Sequence, residues 1–158
     1  AASDVYKRQA NPLPVARTRV SIGAATTTFN EATVATGPYT IIGGIRSISG
    51  FGDSAQVITV DEVGDGRTRK AVGTRNSGTM ELVCSLLRED AGQLAAVAAS
   101  EGFDAFNFKI ELPQPGGEFA VYYVSGLVMS QNIGLGGPND TQTITFSLEL
   151  TEKPIVVD

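Results

Sequence analysis

The chain has no histidine and no tryptophan, and only one cysteine and two methionines in 158 residues. Without histidine there is no imidazole base, no imidazole metal ligand and no Ser-His or Cys-His dyad, which removes the commonest hydrolytic machinery. A single cysteine excludes an intrachain disulfide. Cys84 falls on the same alternating face as Met80 and Leu82, where a thiol behaves as a small buried hydrophobe rather than a nucleophile. No apolar run approaches the roughly 20 residues of a helical membrane span. Carboxylates are present but scattered: Glu101, Asp104, Glu111, Glu118 and Glu149 lie along strand faces and at element ends, not as the facing pair a glycosidase uses. No run of alternating acidic ligands suggests a calcium loop. The expectation is a protein that is not an enzyme and holds no cofactor or metal.

What is plentiful is glycine and β-forming pattern. Eighteen glycines against seven prolines, with 42% hydrophobic residues, describe a turn-rich β chain long enough for one core. Phe106, Phe108, Ile110 and Leu112 alternate with Asn107, Lys109 and Glu111, and Ile144, Phe146, Leu148 and Leu150 alternate with Thr143, Thr145, Ser147 and Glu149. Each run has one apolar and one wet face. Phe119 to Met129 is apolar on both faces, which predicts a central strand covered on both sides. PQPGG at Pro113 to Gly117 supplies the turn between the long strands. Gly134 to Asp140, GLGGPND, reads as a second turn, because no strand-loop-helix context makes it a phosphate loop.

The first half is less regular. Arg17 to Ile22 predicts a short strand, Ala24 to Pro38 a loop or weak edge strand, and Tyr39 to Ile48 a strand interrupted at Gly43 and Gly44. Gln56 to Val60 is expected to return antiparallel. Asp61 to Ser77 then reads as a long, charged loop, followed by a strand over Thr79 to Cys84. A helix is predicted over Glu89 to Ser100, with Glu89 and Asp90 in its first turn, Gly102 as a left-handed cap, and Leu94, Val97 and Ala98 facing the sheet.

Charge is unevenly spread. The net charge is −5, but residues 1–77 hold nine basic and six acidic side chains, whereas residues 78–158 hold three and eleven. The basic residues gather in the loop at Arg67, Arg69, Lys70 and Arg75, beside Asp61, Glu62 and Asp65. Interleaved aromatics are missing there, so a nucleic-acid grip is not expected, and the loop reads either as solvated surface or as a contact with the acidic half of a neighbour.

Residues 1–9, AASDVYKRQ, are expected to be foreign. DVYKRQ is the translation of GAT GTG TAT AAG AGA CAG, which matches the mosaic end of a transposon used in preparing sequencing libraries, and such scars are set aside in reasoning about the fold. Residues 10–158 are then read as one domain, with the long loop at 61–77.

The order of parts, carried by GTMELVCSLLREDAGQLAAVAA, FNFKIELPQPGGEFAVYYVSGLVMS and DTQTITFSLELTEKP, resembles the major tail tube proteins of long-tailed, lambda-like bacteriophages. The resemblance covers roughly residues 40 to 155 and rests on no single diagnostic motif. It implies a mainly β fold, an antiparallel β-sandwich or split barrel with one short flanking helix. It also implies self-assembly into hexameric rings stacked head to tail, a bore through which DNA leaves without specific binding, and tape-measure, tail terminator and tail tip proteins as partners. The implied location is the virion tail, assembled in the host cytoplasm. By that analogy Asp61, Glu62, Asp65, Arg67, Arg69, Lys70 and Arg75 form a ring-stacking loop. The lumen face is either Thr143, Thr145, Ser147 and Glu149 or the set Asn107, Lys109 and Glu111; the sequence does not choose, and either set is equally readable as ordinary surface. A related ring-former, such as a tail-completion or type VI secretion tube subunit, and a monomeric carbohydrate-binding sandwich are the alternatives.

Overall fold

The computed structural model describes residues 16–26, 28–64 and 66–157, so the expected scar and Asp65 lie outside the described residues. Strands β1 (Arg19–Ala25), β2 (Thr40–Ile41), β3 (Ile45–Ile48), β6 (Thr79–Ser85), β7 (Phe106–Pro113), β8 (Phe119–Gly134), β9 (Thr143–Leu150) and β10 (Ile155–Val157) form one antiparallel sheet. Strands β4 (Ser54–Asp61) and β5 (Thr68–Asn76) form a separate ribbon. Helix α1 spans Glu31–Thr36 and helix α2 spans Ala91–Ser100.

The order across the sheet is β2-β1-β7-β8-β9-β6-β3, with β10 continuing the β9 side of β8. Its two end strands, β2 and β3, are separated in sequence only by Ile42, Gly43 and Gly44. The sheet therefore curls until its ends meet, as a split barrel. The linking segment is bonded to both sides of the seam: the Ile42 amide donates to the Val20 carbonyl on β1 at 2.9 Å, and the Ser85 amide on β6 donates to the Gly44 carbonyl at 2.7 Å. Gly44 has φ +73°, a conformation that side chains resist, so the glycine is required by the turn. The expected strand from Tyr39 to Ile48 is thus two strands on opposite ends of the sheet.

Alternation places the core as expected. Phe108, Val124, Phe146, Met80 and Cys84 are fully buried on the inner face, and β8 is the central strand, flanked by β7 and β9. It runs five residues beyond the expected end at Met129, with a bulge between Val128 and Ser130. Burial, and secondarily the charge of Asp90, pushes the Cys84 thiol up to about 11.

Helix α2 is the flanking helix, and its details differ from expectation. Asp90 is its N-cap, accepting from the Gln93 amide at 3.0 Å, and Glu89 stands outside it. Glu101 closes it in the right-handed region, so Gly102 is not a left-handed cap. Gly92, Gln93, Ala96 and Ala99 are buried, while Leu94 and Ala98 face outward. The cause is close approach: a Cβ on Gly92 would collide with the Ile41 carbonyl, so the helix turns Gly92, Ala96 and Ala99 inward, while Val97, also expected to face the sheet, does pack against the core, partly buried.

Two further readings are corrected. Residues 24–38, expected to be a loop or weak edge strand, contain α1, started by the Asn30 side chain accepting from the Thr33 amide at 2.8 Å and anchored by fully buried Val34. Most of the expected loop at 61–77 is strand β5, and β4 pairs with it rather than with β3, which pairs with β6. None of the described helices is long and apolar enough to cross a membrane.

Candidate assembly surfaces

The β4–β5 ribbon forms because a β-branched run, Val57 to Val60, meets Thr68 to Val72 in register: Val57 opposite Val72, Ile58 opposite Ala71, Thr59 opposite Lys70, Val60 opposite Arg69. Opposed residues share a face. One face therefore carries Val57, Thr59, Asp61, Thr68, Lys70 and Val72, and the other Ile58, Val60, Arg69, Ala71 and Gly73. Only Ala55 and Gly73 are even partly buried; Val57 and Val72 are 67% and 68% exposed, and Val63 at the tip is fully exposed. The ribbon exposes aliphatic side chains among polar and charged ones on both faces and is covered on neither.

Pairing also places the residues expected to stack rings. Asp61 ends β4, Glu62 lies in the turn, Arg67 precedes β5, and Arg69 and Lys70 follow near the tip. Arg75 sits apart, at the ribbon's base, 3.6 Å from Asp53. Sequence reasoning named the charges and missed the valines and isoleucines between them. The signal available was the run VITV ahead of an apolar-polar RKAV, obscured by treating the second segment as loop.

The two sets considered as lumen faces lie on one face of one sheet. Asn107 pairs with Ser125 across β7–β8, and two residues further along β8 Leu127 pairs with Glu149 of β9, so all point outward together. They differ in cover. Over the Asn107 half lies the segment around α1: the Thr26 hydroxyl donates to Asn107 Oδ1 at 2.7 Å and lies 3.0 Å from the Ser125 hydroxyl. The Tyr39 ring lies 5.9 Å from that of Tyr123, and its hydroxyl donates to the Val34 carbonyl at 2.7 Å. Burial pushes the Tyr39 phenol up to about 12, with Tyr123 adding to the shift. Lys109 and Arg19 both reach Glu111, at 3.6 and 2.9 Å. Asn107 is consequently 8% exposed.

The Thr143 half is open. Thr143, Thr145 and Ser147 are half-buried and Glu149 exposed, beside Thr79 and Glu81 of β6 and Ser130 and Asn132 of β8. The Thr79 hydroxyl donates to Glu149 Oε1 at 2.7 Å. Among these outward positions the charges are the carboxylates Glu81 and Glu149, with Arg46 at the margin donating to the Ser85 hydroxyl at 2.8 Å. Among the described residues no three potential ligands cluster as a metal site would require.

A curled antiparallel sheet, one flanking helix and a protruding ribbon can be compared with known proteins. No protein-family model matches the sequence, and no curated protein does. Solved structures match over nearly the whole chain. An anti-feeding prophage baseplate structure aligns at TM-score 0.72 with 17% identity, over 94% of this chain and 97% of the other. A PVC extracellular contractile injection system sheath–tube complex aligns at TM-score 0.69 with 18% identity, over 99% and 97%. The SPP1 tail tube aligns at TM-score 0.64 with 15% identity, over 92% and 78%. The fold is that of tail-tube proteins. At these identities the likeness concerns the path of the chain. The ribbon and the open polar face are the two exposed surfaces on which the residues singled out in the sequence fall.

Proposed function

We propose that this chain is a structural, non-enzymatic subunit of a tail tube, and specifically of a lambda-like, long-tailed phage. Six copies close into a ring, rings stack head to tail, and DNA leaves through the bore. The ribbon carries this reading. A two-stranded sheet is marginal by itself, and one with aliphatic side chains exposed on both faces is completed by other protein surface. The basic residues Arg67, Arg69 and Lys70, at and just before its second strand, suit the acidic remainder of another copy, and a contact between two unlike patches propagates instead of closing on itself. The open face suits a bore. Cations would hold phosphates there, whereas hydroxyls, amides and the carboxylates Glu81 and Glu149 let a duplex slide.

Partners in this reading are further copies of the chain and the tape-measure, terminator and tip proteins, in a virion tail assembled in the host cytoplasm. The likeness to the anti-feeding prophage and PVC structures favours a second reading, a tube subunit of an injection system. The test is negative-stain electron microscopy of the protein lacking residues 1–9, concentrated with and without tail-assembly partners. Hollow tubes or stacked rings are expected, single rings would indicate a completion protein, and a uniform monomer under every condition would overturn the proposal.

A further inference from the structure

We propose that the cover over the Asn107 half of the outward face, Thr26 with residues 28–39, and the C-terminal segment 151–157 open from the sheet as one unit, coupled through Ser125 and Tyr123 of β8. The inference goes beyond the tube reading and does not depend on it. Each segment grips the sheet lightly. Val34 is the one buried residue of α1 and stands apart from the main core, and none of Ile155, Val156 and Val157 in β10 is buried. Beneath the cover lie Asn107, Lys109 and Ser125, whose polar groups water can serve once the cover lifts. A segment with few buried apolar contacts over a polar floor opens at a free energy well below that of global unfolding. Opening joins this half of the face to the Thr143 half, which is already open.

The two segments meet on the same residues. Thr26 gives its one hydroxyl proton to Asn107 Oδ1 at 2.7 Å, so in the 3.0 Å contact between the Thr26 and Ser125 hydroxyls the donor is Ser125. Fully buried Ser125 then has no proton left, and its hydroxyl oxygen accepts from the Thr151 hydroxyl at 3.1 Å. The Thr151 hydroxyl lies 3.2 Å from the Ser125 carbonyl as well, and the Thr151 amide donates to that carbonyl at 2.9 Å. The protons therefore run one way, from Thr151 to Ser125 to Thr26 to Asn107, and each bond in such a chain polarises the next. Two residues along β8, Tyr123 holds the Tyr39 ring of the cover at 5.9 Å and stands directly opposite Ile155 of β10, on the same face. Lifting either segment strips a partner from the Ser125 hydroxyl and a neighbour from Tyr123, and so weakens the hold on the other.

The experiment is amide hydrogen exchange, followed by NMR, on the unassembled wild-type chain and on Thr26→Val, Thr151→Val and Thr151→Ser. In the wild type the Val34 amide, which donates to the Asn30 carbonyl, and the amides of β10 are expected to exchange with similar protection, and faster than those of β9. Thr151→Val should speed exchange of Val34 by about three- to tenfold, the worth of one hydrogen bond, and Thr26→Val should do the same in β10. Amides of β9 should keep their rate in both, and Thr151→Ser, which retains the hydroxyl, should match the wild type. As a second reading, a Val34→Cys thiol should react with a labelling reagent faster by the same factor when Thr151→Val is added, while Cys84 stays protected in the core. Substitutions that speed exchange only in their own segment overturn the coupling. Equal acceleration in β9, or a cover and β10 that exchange only as slowly as β9, overturns the separate opening unit.

Discussion

Gln93 joins the ends of the curled sheet, and its replacement by leucine is the sharpest test of how the barrel is closed. The side chain is 2% exposed. Its Nε2 donates to the carbonyls of Gly43, in the link between β2 and β3, and Ser85, at the end of β6, each at 2.8 Å. Its Oε1 accepts from the Leu87 amide at 3.0 Å. Beside it, Asp90 Oδ2 accepts from the amides of Gly43 and Gln93, both at 3.0 Å. Gln93→Leu preserves approximate volume and leaves two carbonyls and one amide without these partners. A buried group stripped of its partner costs about 1–3 kcal/mol, and because Leu87 is 44% exposed, water can reach part of this set, so the expected loss is about 2–4 kcal/mol. For a chain of this size that is a fall of about 5–15 °C in Tm. Urea denaturation of the monomer should show a lower midpoint with an unchanged slope. A change below about 1 kcal/mol would refute the assignment of Gln93 as the polar closure of the seam.

Four other outcomes are expected. Phe146→Ala, removing a side chain with no exposure at the centre of the inner face, should cost about 3–5 kcal/mol in the same denaturation assay. Gly92→Ala should destabilise, although the change normally favours a helix by about 1 kcal/mol, because the new methyl group meets the Ile41 carbonyl; a stabilised variant would mean that α2 stands further from β2. Stability should fall as pH rises from 9 to about 11, since the unfolded Cys84 thiol ionises while the folded one keeps its proton, a loss of about 2–3 kcal/mol that Cys84→Ala should remove. Reversing Arg67, Arg69 and Lys70 together should block stacking of rings while leaving the melting transition intact, and normal tube growth in that variant would exclude the ribbon from assembly.

Sequence reasoning succeeded where one face of a segment is buried and the other wet. β6, β7 and β9 alternate strictly because the core takes every second side chain, and β8 betrays its central place by being apolar on both faces. It failed where that contrast disappears. In β4 and β5 both faces are open, so valine, isoleucine, lysine and arginine follow one another without a period and the second strand looks like loop. In α2 the expected burial of Leu94 followed hydrophobicity, but the close approach of Gly92 to Ile41 turns Gly92, Gln93, Ala96 and Ala99 inward and leaves Leu94 outside.

The sequence by itself determined a β-rich, histidine-free chain with several amphipathic strands, one short helix and opposite charge in its two halves, because composition and period 2 are local properties. Only the tertiary structure decided that β2 and β3 close the sheet through Ile42–Gly44, and that the Asn107 and Thr143 sets lie on one face of which one half is open. It also decided that the basic segment is a ribbon with two uncovered faces. Register, cover and closure depend on partners far apart in the chain, such as Thr26 with Asn107 and Gly43 with Gln93, and no window along the sequence contains both members of those pairs.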